Sequence, residues 1–242
     1  GDHVIVSNLE HNAVLRPLKK WGVSFDVVKV DFIDDSKTVE DFKAKFKTNT
    51  KMVICTAASN VFGKTLPLKE IGKMCKERGV FFAVDGAQGA GVLPINMTKM
   101  NIDFLCVAPH KGLYSPMGIG VLITNKFIPN TIIEGGTGTN SLELTQPLML
   151  PERLESGTLN VPAIFGVSAG IDFVKNKGLE KIYNHEMMLI QKLYKNLSGF
   201  EKAELYTPFP KQGEYAPVLA FNYGDLHSEK VGKYLSEKGI AV

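Results

Sequence analysis

Two titratable side chains stand out by their surroundings. Lys111 sits in the run Val107-Ala108-Pro109-His110-Lys111-Gly112-Leu113-Tyr114-Ser115-Pro116-Met117-Gly118-Ile119-Gly120, among apolar residues, proline and glycine rather than other charges. Such a setting disfavours the ammonium form and exposes a nucleophilic amine. Gly112, Gly118 and Gly120 would let the backbone approach a ligand closely. A solvated loop lysine is the plain alternative. Asp85 ends the apolar run Phe81-Phe82-Ala83-Val84 and precedes Gly86-Ala87-Gln88. A carboxylate at the end of a buried strand calls for a positive partner, such as a cationic ring nitrogen of a ligand. The alternative for Asp85 is a cap on the following turn.

These residues need elements to position them, and the chain alternates between strand and helix patterns. Strands are expected at His3 to Ser7, Ser24 to Val30, Lys51 to Thr56, Val80 to Val84, Asp103 to Val107 and Ile119 to Thr124. Helical spacing runs through Ala13 to Trp21, Thr38 to Phe46 and Leu68 to Arg78, the first and last stopped by Gly22 and Gly79. Fully apolar strands with helices between them predict a mainly parallel α/β sheet covered on both faces. After Pro162 the texture changes to long helices, Ile164 to Lys175 and Leu179 to Leu197, then strands near Leu205 and at Val218 to Phe221 and a helix at Ser228 to Lys238. Ligands of a parallel sheet bind at the carboxyl ends of its strands. Past those ends lie Ser7, Glu10 and His11; Thr56, Ser59 and Asn60; Asp85 and Gln88; His110 and Lys111. Polar groups gathered at one end of an apolar sheet mark a site.

Composition removes several classes of function. The 242 residues suffice for one large domain, or one domain and part of another. Net charge is +3, and Lys and Arg are scattered rather than set in a basic stripe with aromatics, which argues against nucleic acid. No apolar run approaches the roughly 20 residues of a membrane span. Cys55, Cys75 and Cys106 are odd in number and far apart, which fits a reducing cytoplasm and gives neither a disulfide framework nor a metal site. Cys55 and Cys106, in apolar strands, are expected to be inert core thiols. His3, His185 and His227 have no evident partners. Gly86 to Gly91 has G-x-x-G-x-G order, not the dinucleotide-binding G-x-G-x-x-G. The chain enters a strand at once and ends on Gly239 to Val242, which reads as a strand cut short, so a piece of a longer protein is expected.

Several short runs, in order, carry a family resemblance. Glu10-His11-Asn12-Ala13-Val14, Ser59-Asn60-Val61-Phe62-Gly63, Val84-Asp85-Gly86-Ala87-Gln88 with the Lys111 run, Glu134-Gly135-Gly136-Thr137-Gly138-Thr139, and Arg153 through Asn160 resemble motifs of the class V aminotransferase and cysteine desulfurase family, whose enzymes use pyridoxal 5'-phosphate (PLP). Each is weak alone; the ordered set, spread from residue 3 to 165, is specific. Gly112 and the Gly-Gly-Thr-Gly form look most like the cysteine desulfurase branch.

The resemblance implies a fold type I PLP transferase: residues 1–165 as the large domain without its N-terminal part, and 166–242 as a connecting helix with an incomplete small α+β domain. It also implies roles. Lys111 would hold the cofactor covalently and then move protons, Asp85 would pair with the ring nitrogen, and Gln88 would hydrogen-bond the ring's phenolic oxygen. His11 would stack on the ring, Asn60 would lie near the phenolic oxygen and the substrate carboxylate, and His110 would touch the phosphate. Thr137 and Thr139 would reach the phosphate of a neighbouring subunit, which requires a homodimer with shared active sites. Ala108-Pro109 stands where several relatives carry a phosphate-binding serine. The family's chains extend beyond both ends of this one, to a Gly/Thr-rich phosphate turn on one side and to a carboxylate-binding arginine and, in desulfurases, a catalytic cysteine on the other. Three readings stay open: removal of sulfur or selenium from an amino acid to leave alanine, with a possible sulfur-acceptor protein; class V transamination; and a catalytically inactive dimerising core.

Overall fold

The computed structural model describes residues Gly1–Val242. The elements β1 (His3–Ser7), α1 (Asn12–Lys20), β2 (Ser24–Val28), α2 (Asp35–Ala44), β3 (Thr50–Thr56), α3 (Leu68–Arg78), β4 (Phe81–Asp85), β5 (Phe104–Val107) and β6 (Val121–Thr124) follow one another along the chain. Their strands form one sheet in the order β2-β1-β3-β4-β5-β6. The neighbours from β2 to β5 pair in parallel, and β6 runs antiparallel to β5. The sheet is therefore mainly parallel, as its apolar strands require. On one face Ile5, Val53, Phe82 and Val84 pack with Phe42 of α2 and Ile71 of α3; on the other Val4 and Val6 meet Leu18 of α1.

Local signals set the helix ends. His11 caps α1, accepting the Ala13 N–H at its Nδ1, and Asp34 caps α2 through the Ser36 N–H. Gly79 ends α3 with φ of 64°, the left-handed conformation that closes a helix with little strain. After β6 the chain passes through an irregular segment closed by Arg153, which is buried in a short 3-10 turn (Glu152–Leu154). Its guanidinium donates to the carbonyls of Ile128, Pro129 and Pro147. Then follow α4 (Val161–Lys177), α5 (Leu179–Leu197), the hairpin β7 (Ala203–Leu205) with β8 (Phe221–Tyr223), and α6 (Ser228–Glu237).

The seam between this later part and the sheet holds Lys64, which is fully buried. Its Nζ lies 2.8 Å from Asp35 Oδ1 and 5.4 Å from the Tyr215 ring centroid. Tyr215 donates its hydroxyl to Phe32 O, and the Thr65 and Ala216 amides donate to Glu214 O and Gly63 O.

Several expectations need correction. Residues 216 to 218 are tied to Gly63, so the last strand falls at Phe221–Tyr223 instead of Val218 to Phe221. Gly239 to Val242 forms no strand; the Ile240 amide turns back to Leu235 O and closes α6. His3 does have partners: its Nδ1 is 2.8 Å from Thr50 Oγ1 and its Nε2 is 3.4 Å from Asp26. His227 caps α6. No helix is long and apolar enough to cross a membrane.

Candidate active site

β1 has β2 on one side and β3 on the other, so the chain leaves β1 in opposite directions across the sheet. Such a reversal opens a crevice at the carboxyl ends of the two central strands. A cavity of about 520 Å³ lies there and extends over the ends of β3, β4 and β5, within the range of roughly 300–1,000 Å³ usual for small-molecule sites. His11, Asn60, Asp85, Gln88, His110 and Lys111 all line it. They come from the end of β4 and the loops after β1, β3, β4 and β5, and only the sheet brings them together.

Asp85 is the one acidic residue of the lining. Its Oδ1 accepts the Ala87 N–H at 2.9 Å, so it does cap the turn. Its other oxygen is left free, and no lysine or arginine is within ion-pair distance. His11 spends Nδ1 on the Ala13 amide at 3.1 Å, which places the hydrogen of a neutral ring on Nε2. Asn60 stands on a tight loop closed by Ser59, whose Oγ accepts the Val61 and Phe62 amides, while the Ser59 amide donates to Lys64 O.

Lys111 is exposed in the cavity and engages no carboxylate. The expected close approach of Gly112 is to backbone rather than to a ligand. A Cβ on Gly112 would sit 2.4 Å from Ala90 O, and one on Gly91, whose φ is 83°, would sit 2.0 Å from Gly112 O. The lysine is thus fixed against the turn that follows Asp85. Lys111 and Gln88 also line a neighbouring cavity of about 430 Å³ beside α5, with Tyr114 and Glu186.

Thr137 and Thr139 do not line the cavity of their own chain. They are on the segment after β6, with their hydroxyls 3.1 Å apart. Cys106 corrects the expectation of a core thiol: Leu105 and Val107 point into the core, while Cys106, between them on β5, is exposed and lines the cavity. Partial desolvation by the cavity walls and the Asp85 charge raise its thiol pKa. Alternation along Phe104-Leu105-Cys106-Val107 was the available signal. Cys55 and Cys75 are buried.

Behind the cavity, Glu10 bridges two strand ends. Its Oε1 accepts the Ser7 hydroxyl and the Thr56 N–H, the latter at 2.9 Å, and its Oε2 is buried without a partner. Burial pushes its carboxyl up to about 7, against the opposing effect of those two donors.

The residues present fit PLP. The free oxygen of an unpaired carboxylate faces a cavity that also holds an uncommitted lysine amine, an amide at Gln88 and an imidazole N–H, the donor set that a cationic ring nitrogen, a carbonyl carbon and a phenolic oxygen call for.

Comparison with known proteins gives the family. The family described as Aminotransferase class-V matches residues 1–242. A probable cysteine desulfurase of Pyrococcus abyssi is 33% identical over 256 residues, covering 100% of this chain and 62% of the relative. A cysteine desulfurase of Salmonella typhimurium is 32% identical over 252 residues, again 100% of this chain and 61% of the relative. Among solved structures, the apo cysteine desulfurase of Thermococcus onnurineus superposes with a TM-score of 0.81 at 31% identity, covering 100% of this chain and 62% of that one. An Escherichia coli cysteine desulfurase does so with 0.86 at 26% identity, covering 100% and 61%. The chain thus spans about three-fifths of the length of these relatives.

Proposed function

Since the chain belongs to the class V aminotransferase family, we propose that it is the cofactor-binding part of a PLP-dependent enzyme that takes sulfur or selenium from an amino acid and leaves alanine. The observation that carries this reading is the meeting of Lys111, Asp85, His11 and Gln88 in one cavity. When bound, PLP supplies an electrophilic carbonyl carbon and a ring that takes up the electron pair left at the substrate's α-carbon.

The chain's own residues do the rest. Lys111 Nζ would hold the cofactor and then, as a free amine, remove and return the proton at the substrate's α-carbon. Asp85, with one oxygen fixed on Ala87, would offer the other to the ring nitrogen and keep it protonated. Gln88 would donate to the phenolic oxygen. His11, pinned at Nδ1, would pack on the ring and carry a proton at Nε2. Asn60 would orient the substrate carboxylate, and His110 would hold the phosphate.

The proposed enzyme is a homodimer with shared sites. The segment after β6 and the start of α4 expose Phe127, Ile132, Ile133, Leu148, Met149 and Phe165, a large apolar surface of the kind that subunits bury, and the same segment would present Thr137 and Thr139 to the partner's phosphate. Residues 1–165 act as the large domain and 166–242 as the connecting helix and part of the small one. Three free thiols fit a cytoplasmic enzyme that hands sulfur to an acceptor protein.

The test is to add PLP, reduce with borohydride and map the pyridoxyl group. Label on Lys111, lost in Lys111→Ala, is expected; scattered label rejects the assignment. Release of alanine from cysteine without any keto acid would then distinguish desulfuration from transamination.

A further inference from the structure

We propose that Glu10 is the positioning residue of this cavity: it ties the end of β1 to the end of β3, and the placement of both His11 and Asp85 follows from that tie. The crevice lies where the sheet reverses direction, between β1 and β3, and Glu10 is the side chain that crosses it. Through Oε1 it receives the Ser7 hydroxyl, the last residue of β1, and the Thr56 amide, the last of β3. His11 is its chain neighbour and begins α1. On the far side Thr56 pairs in register with Asp85, whose carbonyl accepts the Ala57 amide at 2.8 Å. One carboxyl group thus sets the spacing between the imidazole on one wall and the carboxylate on the other.

Its charge state has a consequence as well. The groups that face Glu10 are Asp85 from β4 and Cys55 from β3, and neither is a cation. Burial moves its carboxyl up to about 7, and the partnerless Oε2 is the atom left to hold the proton. With Glu10 neutral, Asp85 is the single anion at the cavity and its attraction for a cationic ring is undivided. When Glu10 ionises, a second negative charge appears among the strand ends beside Asp85 and the electrostatic environment of the ring changes.

This inference rests on the PLP reading for its spectroscopic consequence only; the tie itself is a property of the chain. The experiment compares the parent, Glu10→Gln and Glu10→Leu in two ways. One is the hydrogen-exchange protection of the Thr56 amide without cofactor. The other is the visible circular dichroism of added PLP across neutral pH. Glu10→Gln keeps an oxygen acceptor and cannot ionise: it should preserve Thr56 protection and the dichroic band but lose the change near pH 7 that the parent shows. Glu10→Leu should exchange Thr56 about tenfold faster and weaken the band. Parental Thr56 protection in Glu10→Leu, or a parental pH change in Glu10→Gln, overturns the proposal. Should Glu10→Leu fail to fold, the pH response of Glu10→Gln decides. If the parent takes no label on Lys111, the cofactor reading falls, while Thr56 exchange still decides the tie.

Discussion

Removing the Asp35 carboxylate should destabilise the protein far more than removing the lysine it faces. Lys64 is enclosed, whereas 43% of the Asp35 side chain reaches solvent. Nζ and Oδ1 are 2.8 Å apart, but their angles do not make a hydrogen bond, so Coulomb attraction and the Tyr215 ring hold the ammonium group. Asp35→Ala leaves that ammonium group with a ring face alone. Taking one partner from a buried pair costs about 3–5 kcal/mol, and the solvent on the Asp35 side points to the lower end, about 3 kcal/mol. Lys64→Met fills the same slot with an apolar chain; it leaves the buried Asp35 Oδ1 without a partner but the rest of that carboxylate in water, so it should cost less, about 1 kcal/mol. The double variant should match Lys64→Met, its coupling energy cancelling most of the Asp35→Ala loss. Urea unfolding followed by circular dichroism, with a shared m-value, measures all four proteins. An Asp35→Ala protein within about 0.5 kcal/mol of the parent, or a Lys64→Met protein equally damaged, refutes the reasoning.

Gly112→Ala would set a Cβ against Ala90 O and Val92; it should cost about 1–3 kcal/mol in a denaturant melt and reduce pyridoxyl labelling of Lys111, while Gly120→Ala, whose Cβ would meet nothing nearer than 3.9 Å, should do neither. The Glu10 carboxyl is raised on folding from 4.5 to about 7. The native state therefore holds a proton that the unfolded chain has released, and the stabilisation it brings is complete below 4.5 and gone above about 7. In between, stability should fall by up to about 1.4 kcal/mol per pH unit, roughly 3 kcal/mol in all; equal pH slopes for the parent and Glu10→Gln would contradict this. Cys106 should react with a maleimide in the folded protein while buried Cys55 and Cys75 do not, faster as pH rises because its thiol is raised, and more slowly once PLP fills the cavity.

The sheet and the gathering of the candidate residues at one cavity are legible in the sequence for one physical reason. Each buried strand is a short apolar run that ends abruptly in a polar residue, as Val84 gives way to Asp85 and Cys55 to Thr56. Parallel pairing places all those ends on one side, so Lys111, Asp85, His11, Gln88, Asn60 and His110 had to meet. What stayed hidden depended on pairings that no local pattern records. Thr50 and Asp26 reach His3 from 47 and 23 residues away. Gly112 looked like room for a ligand because its real neighbour, the Ala90 carbonyl, lies in a different loop. Cys106 departs from the core reading because β5 lies next to the edge strand, where its alternation leaves one face exposed. The strand expected at Val218 to Phe221 moved because Gly63 claims the residues before it.

The reach of the cavity across four strand ends has a consequence for biosynthesis. Lys111 follows His11 by a hundred positions. At about 5–20 residues per second on the ribosome, the crevice between β1 and β3 waits roughly 5–20 s for its amine to be made. During that interval β3 offers an open edge until β4 emerges to cover it. Any ligand that needs both walls of the crevice is therefore captured late in translation or after it.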